Sequence, residues 1–286
     1  MAGQNNHFLI TILVGLSAVE DGTAALKEEM RTSWAPHNRR NSAKRSRDFA
    51  IKAQLAWLVD ALDAFVRNLR LPPSIANETL QKSLEEARSK REGVAGQVRA
   101  VAAASEQSEA AETVLLEIAI SWRNHLVHHH AKPISKPQIT RAKAHKKSYE
   151  DLYQGLVIDT LLSRAQRTPA LAPTFKEITA IVRAAHKFVE HADLLLLKEV
   201  DLNAFLESIL RDYLKASAEP ASPSMNRVSN VWGKSRDHRR STIRQIAIQN
   251  GFSPYTDAAP NALLRATLDD LSDLSPREAI QKLFGG

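Results

Sequence analysis

Leu55, Leu58, Leu62, Phe65 and Leu69 recur at steps of three and four residues, the spacing of one continuous apolar stripe on an α-helix. The pattern predicts a long helix over Ala43–Arg70, ended by Pro72-Pro73. Upstream, Phe8 to Leu16 reads F-L-I-T-I-L-V-G-L. That run is too short to span a bilayer. It also lacks the basic n-region and small-residue cleavage site of a secretory leader. The expectation is a first buried helix running towards Met30, with a strand as the alternative because of its β-branched residues. Asn77 to about Ser105 is helical but Ala-rich, with a kink or break expected at Gly93 and Gly96. Over Glu106–Ala131, Leu115, Ile118, Ala119, Trp122 and Leu126 share one apolar arc of a helix. Pro133 and Pro137 then mark a loop.

A further helix is expected over Asp151–Gln166. The next opens at Thr174, where Glu177 completes a capping-box pattern and Phe175, Ile178, Ile181, Val182, Ala185, Phe188 and Val189 point inward. Asp201–Ala216 is read as closing this bundle. Ala218–Ser224 is a linker by composition, so residues 217–226 separate a bundle over 1–216 from a small basic unit over 227–286. In that unit Arg236, Arg239, Arg240 and Arg244 lead a helix ended by Asn250-Gly251. A second helix spans Leu263–Leu271, and Ser275-Pro276-Arg277-Glu278 opens a third. The expected fold is all-α: an antiparallel helical bundle with a small C-terminal helical extension.

Composition agrees, with apolar residues at 43% of 286 and little glycine or aromatic content. Charge adds more. The net charge is +7 and the isoelectric point near 9.6, which favours an anionic partner, nucleic acid above all. The chain has no cysteine, which excludes disulfides, thiolate nucleophiles and cysteine-based zinc sites, and fits a reducing cytoplasm. Arg31–Lys52 is basic and read as a loop and a solvated helix start. From Ile118 to Tyr149 no acidic residue occurs, while Arg123, Lys132, Lys136, Arg141, Lys143, Lys146 and Lys147 do. Apart from Arg123, these are the candidate RNA-tracking cations. Tyr149 and Tyr153 either stack bases or pack.

The densest chemistry lies in S-W-R-N-H-L-V-H-H-H, Ser121 to His130. On a continuous helix Arg123, Asn124 and His128 fall away from the apolar arc, with Arg and His about 7.5 Å apart along the axis. Arginine can clamp phosphate oxygens, and histidine can move a proton near neutral pH. The segment R-N-H-L-V-H resembles the motif of the HEPN superfamily of all-α domains. That motif is an Arg, often followed by Asn, Asp or His, then a His four to six residues on. Arg123, Asn124 and His128 match it, and His129 and His130 also satisfy the spacing. A second pair, Arg31 to His37, lacks the polar residue and contains Pro36.

The resemblance implies a metal-independent, cofactor-free endoribonuclease of the toxin or antiviral-defence type. His128 would transfer the proton, Arg123 would stabilise the phosphorane, and Asn124 would orient one of them or bind phosphate. It also implies a homodimer that apposes two motif helices, and an antitoxin or defence-system partner protein. Dimerisation should weaken at low salt if the basic window forms the interface, and be indifferent to salt if apolar residues do. Other readings remain open at this point. HEPN-like bundles also serve as non-catalytic nucleotide- or RNA-binding or protein-interaction modules. The histidines could also be a solvated helix end, or His125 and His129 an i, i+4 metal pair. His186 and His191 are read as surface or satisfied histidines.

Overall fold

A computed structural model describes residues 2–24, 38–71, 78–128, 131, 133–198, 201–215, 222–250, 252 and 260–285, without side-chain detail for 2–6, 197 and 260–266. Among the described residues the chain is all-α, with fourteen helices and no strand. None of these helices is long and apolar enough to cross a membrane. The chain divides into two compact units, Met1–Lys198 and Glu199–Gly286.

Unit 1 begins with α1 (Ala2–Glu20) and α2 (Arg39–Asn68). They run antiparallel, and Glu20 at the end of α1 pairs with Arg47 (3.1 Å) and Arg40 (3.5 Å) near the start of α2. Asn38 caps α2 through Asn41 N–H, so the helix starts at Arg39, four residues before the expected Ala43. The stripe buries Leu55, Leu58, Leu62 and Leu69 as expected. α1 departs from expectation. It ends at Glu20 rather than near Met30, and instead of being buried it presents much of its apolar surface outward. The region Asn77–Ser105 is broken into α3 (Glu78–Ser89) and α4 (Gly93–Ala104). The break falls where Arg91 (φ 54°) and Gly93 (φ 63°) take left-handed conformations. Gly96 sits inside α4 without interrupting it.

α5 (Ala111–Val127) is the central helix, with every residue from Val114 to Ile120 and Trp122 buried. α6 (Lys136–Ala144) follows after a turn, opened by a Ser135–Gln138 capping box with Pro137 in its first turn. The segment expected as one helix over Asp151–Gln166 is α7 (Lys146–Leu152) and α8 (Ile158–Ala165), parted at Gln154 (φ 54°) and Gly155 (φ 73°). α9 (Phe175–Lys198) opens with the expected box, Thr174 N–H to Glu177 Oε2 (2.6 Å) and Glu177 N–H to Thr174 Oγ1 (3.2 Å). It lies antiparallel to α5. Gln107, just before α5, donates to the Phe188 carbonyl (3.4 Å), and Trp122, near the end of α5, donates to the Leu171 carbonyl just before α9 (3.0 Å).

Unit 2 comprises α10 (Leu202–Leu214), α11 (Met225–Trp232), α12 (Arg236–Gln249), α13 (Pro260–Asp273) and α14 (Pro276–Phe284). The domain boundary expected at residue 216 therefore lies earlier. Leu206, Leu210 and Leu214 of α10 bury against Val228, Trp232, Ile243, Leu271 and Leu283. A repeat of apolar positions shows that a helix has an inward face but not which core that face joins. Of the segment read as a linker, residues 217–221 lie outside the described residues, and at its far end Ser224 N–H donates to the Leu214 carbonyl (2.7 Å). Unit 2 also carries equal numbers of acidic and basic residues, so the whole net charge of +7 resides in unit 1. Three arginines of α12 have partners within the unit. Arg236 pairs with Asp273, Arg240 with Asp269 (2.8 Å), and Arg239 donates to the Leu274 carbonyl (2.7 Å).

Candidate functional site

The C-terminal end of α5 is fixed from the inside. Trp122 is fully buried, with its indole N–H held by Leu171. His125 Nδ1 lies 3.2 Å from the carbonyl oxygen of Ala165, an acceptor, so that nitrogen carries the proton. These anchors set the rotation of α5 and turn Arg123 and Asn124 away from the core.

Arg123 is held by two side-chain oxygens, one amide and one carboxylate. One terminal nitrogen donates to Asn124 Oδ1 (3.2 Å) and the other to Asp60 Oδ1 of α2 (3.2 Å). The Arg123 side chain is 23% exposed and that of Asp60 63%, so the guanidinium is seated while its carboxylate partner stands in water. Arg123 Nε is buried without a hydrogen-bond partner among the described residues. Three sides of the fork are thus defined by protein, and the planar donor edge suits a phosphate. Asp60 occupies the position an anion would take.

His128 stands at the end of α5 and not within it. α5 stops at Val127 and His128 is its cap, with extended backbone (φ −118°, ψ 116°) and its N–H on the Asn124 carbonyl (2.8 Å). The imidazole of His128 is exposed, one residue past the end of the helix. His129 and His130 lie outside the described residues, and so does the metal alternative that needs His129. Among the described residues no group of three His, Asp or Glu is arranged to hold a metal ion.

The acid-free window is met in space by acids from elsewhere. Arg141 turns inward to Glu117 (3.1 Å), which is 3% exposed, and also reaches Glu109 (3.2 Å) and the Ser108 carbonyl (2.6 Å). Lys143 and Lys146 share Asp159, each at 3.4 Å. Hydrogen bonds from Lys146 and Lys143 hold that carboxyl below the usual range. Lys136, at the start of α6, and Lys147 are exposed, while Lys132 lies outside the described residues. Gln138 of α6 donates to Ser121 Oγ (3.2 Å), which seats the start of α6, with Lys136, beside the residues preceding Arg123. Tyr149 and Tyr153 are buried and not available to stack bases. Their hydroxyls donate to the Ala111 carbonyl (3.0 Å) and to Glu112 (2.7 Å), and burial pushes both phenols well above their ordinary pKa.

Asp60 was not legible in the sequence as a site residue. It precedes Arg123 by 63 positions and no local pattern links the two. If Asp60 competes with phosphate, Asp60→Asn should tighten binding of a short RNA by up to about fivefold, the strength of an exposed ion pair. Fluorescence anisotropy reads this directly. Weaker binding would instead make Asp60 a support for the Arg123 side chain.

A groove of about 620 Å³ between α2 and α9 is lined by Leu58, Ala61, Phe65, Ala185 and Val189, with His186, Glu190 and Asp193 also facing it. None of the motif residues lines it. Burial raises the pKa of Asp193. A carboxyl with a raised folded-state pKa supports folding most below its unfolded value, and that support is lost as pH rises through the folded value. Asp193→Asn should therefore raise Tm at neutral pH, with the gain vanishing below the ordinary aspartate range. A Tm difference that is constant with pH would contradict this.

Comparison with protein-family models, with curated proteins and with solved structures returns no match.

Proposed function

We propose that the chain is a metal-independent endoribonuclease acting through the end of α5, with the toxin or defence-effector role that the HEPN resemblance implies. The observation that supports this most is the Arg123 fork. A guanidinium seated by Asn124 and Asp60 lies five residues before an exposed imidazole, in the unit that holds all the net positive charge.

In this reading the 2′-oxygen attacks the adjacent phosphorus as its proton leaves, and the P–O5′ bond breaks as O5′ gains one. The products are a 2′,3′-cyclic phosphate and a 5′-OH. Arg123 stabilises the equatorial charge of the phosphorane. His128 carries one of the two proton transfers. Lys136 and Lys147 hold the strand by its backbone. Arg141, Lys143 and Lys146 contribute less, since their charge is matched within the fold.

A second reading has its own observation. His128 has no partner among the described residues to orient it, as a module that binds a phosphate without cleaving it would allow. The chemistry of the ends separates the two. Labelled RNA cut by the chain should carry 2′,3′-cyclic phosphate and 5′-OH termini. Products bearing 5′-phosphate throughout would contradict the mechanism, and tight binding without cutting would favour the module.

A further inference from the structure

Lys176, Thr179, Ala180 and Arg183 share one face of α9 by their spacing. They line a cavity of about 200 Å³ together with Tyr153 and Gln154 from the end of α7. Tyr153 and Ala180 are buried and form its inner side, while Lys176, Gln154 and Arg183 are exposed at its rim. The Lys176 ammonium lies over the turn between α7 and α8, where a Cβ built on Gly155 would sit 3.6 Å from Nζ. No carboxylate is among these lining residues. Neither Lys176 nor Arg183 forms an ion pair with a described residue. Their neighbours do: Arg164 pairs with Glu177 (3.4 Å), Lys187 with Glu112 (3.8 Å), and Lys143 and Lys146 share Asp159. The nearby acids are thereby taken. Glu177, next to Lys176 in the chain, is 4% exposed and engaged with Arg164 and Thr174, and Glu112 accepts from the Tyr153 hydroxyl. At Arg123 a carboxylate fills the place of an anion, whereas here none does.

We propose that this cavity binds the phosphate group of a small phosphomonoester, a sugar phosphate or a mononucleotide. Charge selects the ligand. Two unmatched cations complement the charge of about −2 that a phosphomonoester carries near pH 7. A carboxylate or a phosphodiester brings only one negative charge. Arg183 offers a planar fork and Lys176 a point charge, which suit the same phosphate from two directions. Seven residues separate them by roughly 10 Å along the helix axis, a gap that two long side chains can close from either end. The Gln154 amide adds a neutral donor. The volume lies below the ~300–1,000 Å³ of sites that enclose a drug-sized ligand, so the cavity takes the phosphate and leaves the body of the ligand at the rim. None of the residues assigned to RNA takes part, and the site stands whether or not the chain cleaves RNA. The proposed cleavage leaves a cyclic diester and a hydroxyl, so its products do not supply this ligand.

Isothermal titration calorimetry on the full chain at about 0.05 M salt tests it, where screening is weak. The probes are ribose 5-phosphate, ribose and dimethyl phosphate. Ribose 5-phosphate should bind one to one with a dissociation constant of about 1 mM or below, and ribose should give no saturable heat. Dimethyl phosphate, with its single charge, should bind about tenfold more weakly or worse, the loss of one charge-assisted hydrogen bond. Lys176→Gln and Arg183→Gln should each weaken ribose 5-phosphate about tenfold or more for the same reason. Both positions are exposed, so Tm and helical content should not change. No saturable binding of ribose 5-phosphate by the wild type up to about 10 mM would overturn the proposal. So would binding that both substitutions leave intact. Equal affinity for dimethyl phosphate would contradict it by giving the two cations to a diester backbone such as RNA. A phosphoserine peptide bound more than about tenfold tighter than the sugar phosphate would contradict it too, assigning the cavity to a phosphorylated protein.

Discussion

Arg141→Ala should lower the free energy of unfolding by roughly 3 kcal/mol, the low end of the cost of breaking a buried ion pair. The loss comes from the group left behind. Glu117 is 3% exposed on the central helix, and both its oxygens accept from Arg141, at 3.1 and 3.2 Å. Without the guanidinium that carboxylate stays buried and unpaired, and the Ser108 carbonyl and Glu109 lose a donor as well. The low end applies because the Arg141 side chain is 29% exposed, so water can reach part of the vacated space. Lys136→Ala and Lys147→Ala, at exposed positions, should stay within about 0.5 kcal/mol of wild type. Urea unfolding should show a lower midpoint for Arg141→Ala with an unchanged slope. RNA affinity should follow the opposite order, falling for Lys136→Ala and Lys147→Ala. A fully stable Arg141→Ala protein that no longer binds RNA would return Arg141 to the nucleic-acid surface.

Arg123→Ala should reduce RNA turnover by a factor of about 10²–10³, the loss typical of removing a donor aimed at developing charge. His128→Ala should reduce it by about 10²–10⁴, the range of a lost general acid or base. Neither should move Tm appreciably. The Arg123–Asp60 pair has a partner 63% exposed, and exposed pairs contribute little to stability. His128 is exposed outside the helix. Arg123→Lys should not restore turnover, since an ammonium lacks the planar fork that Asn124 and Asp60 seat. Full activity of Arg123→Lys would mean that charge alone is used there.

Helix periodicity carried most of the fold because it is a local property. The stripe from Leu55 to Leu69 and the capping boxes at Thr174 and Ser275 involve residues within a few turns of one another, and all are present. What the sequence did not show is mostly pairing at a distance. The face of α10 reads as amphipathic, yet nothing in it names the core that it joins. The run without acids from Ile118 to Tyr149 reads as a basic surface, but Glu117, Glu109 and Asp159 reach it in space and match half of its lysines and arginines outside the motif. For the same reason Asp60 was silent until α2 and α5 were placed side by side. At His128 the helical wheel reaches past the helix, since α5 ends one residue earlier. α1 departs from the usual inference from apolarity to burial: Phe8, Ile12 and Val14 are exposed although Leu9 beside them is buried.

The assay that bears most directly on the proposed function incubates purified wild type, Arg123→Ala and His128→Ala with labelled single-stranded RNA in excess EDTA. The expected result is cutting by the wild type, unaffected by the chelator, and loss of cutting in both variants at unchanged helical content. RNA bound but uncut by the wild type, or cutting that survives both substitutions, would contradict a ribonuclease built on Arg123 and His128.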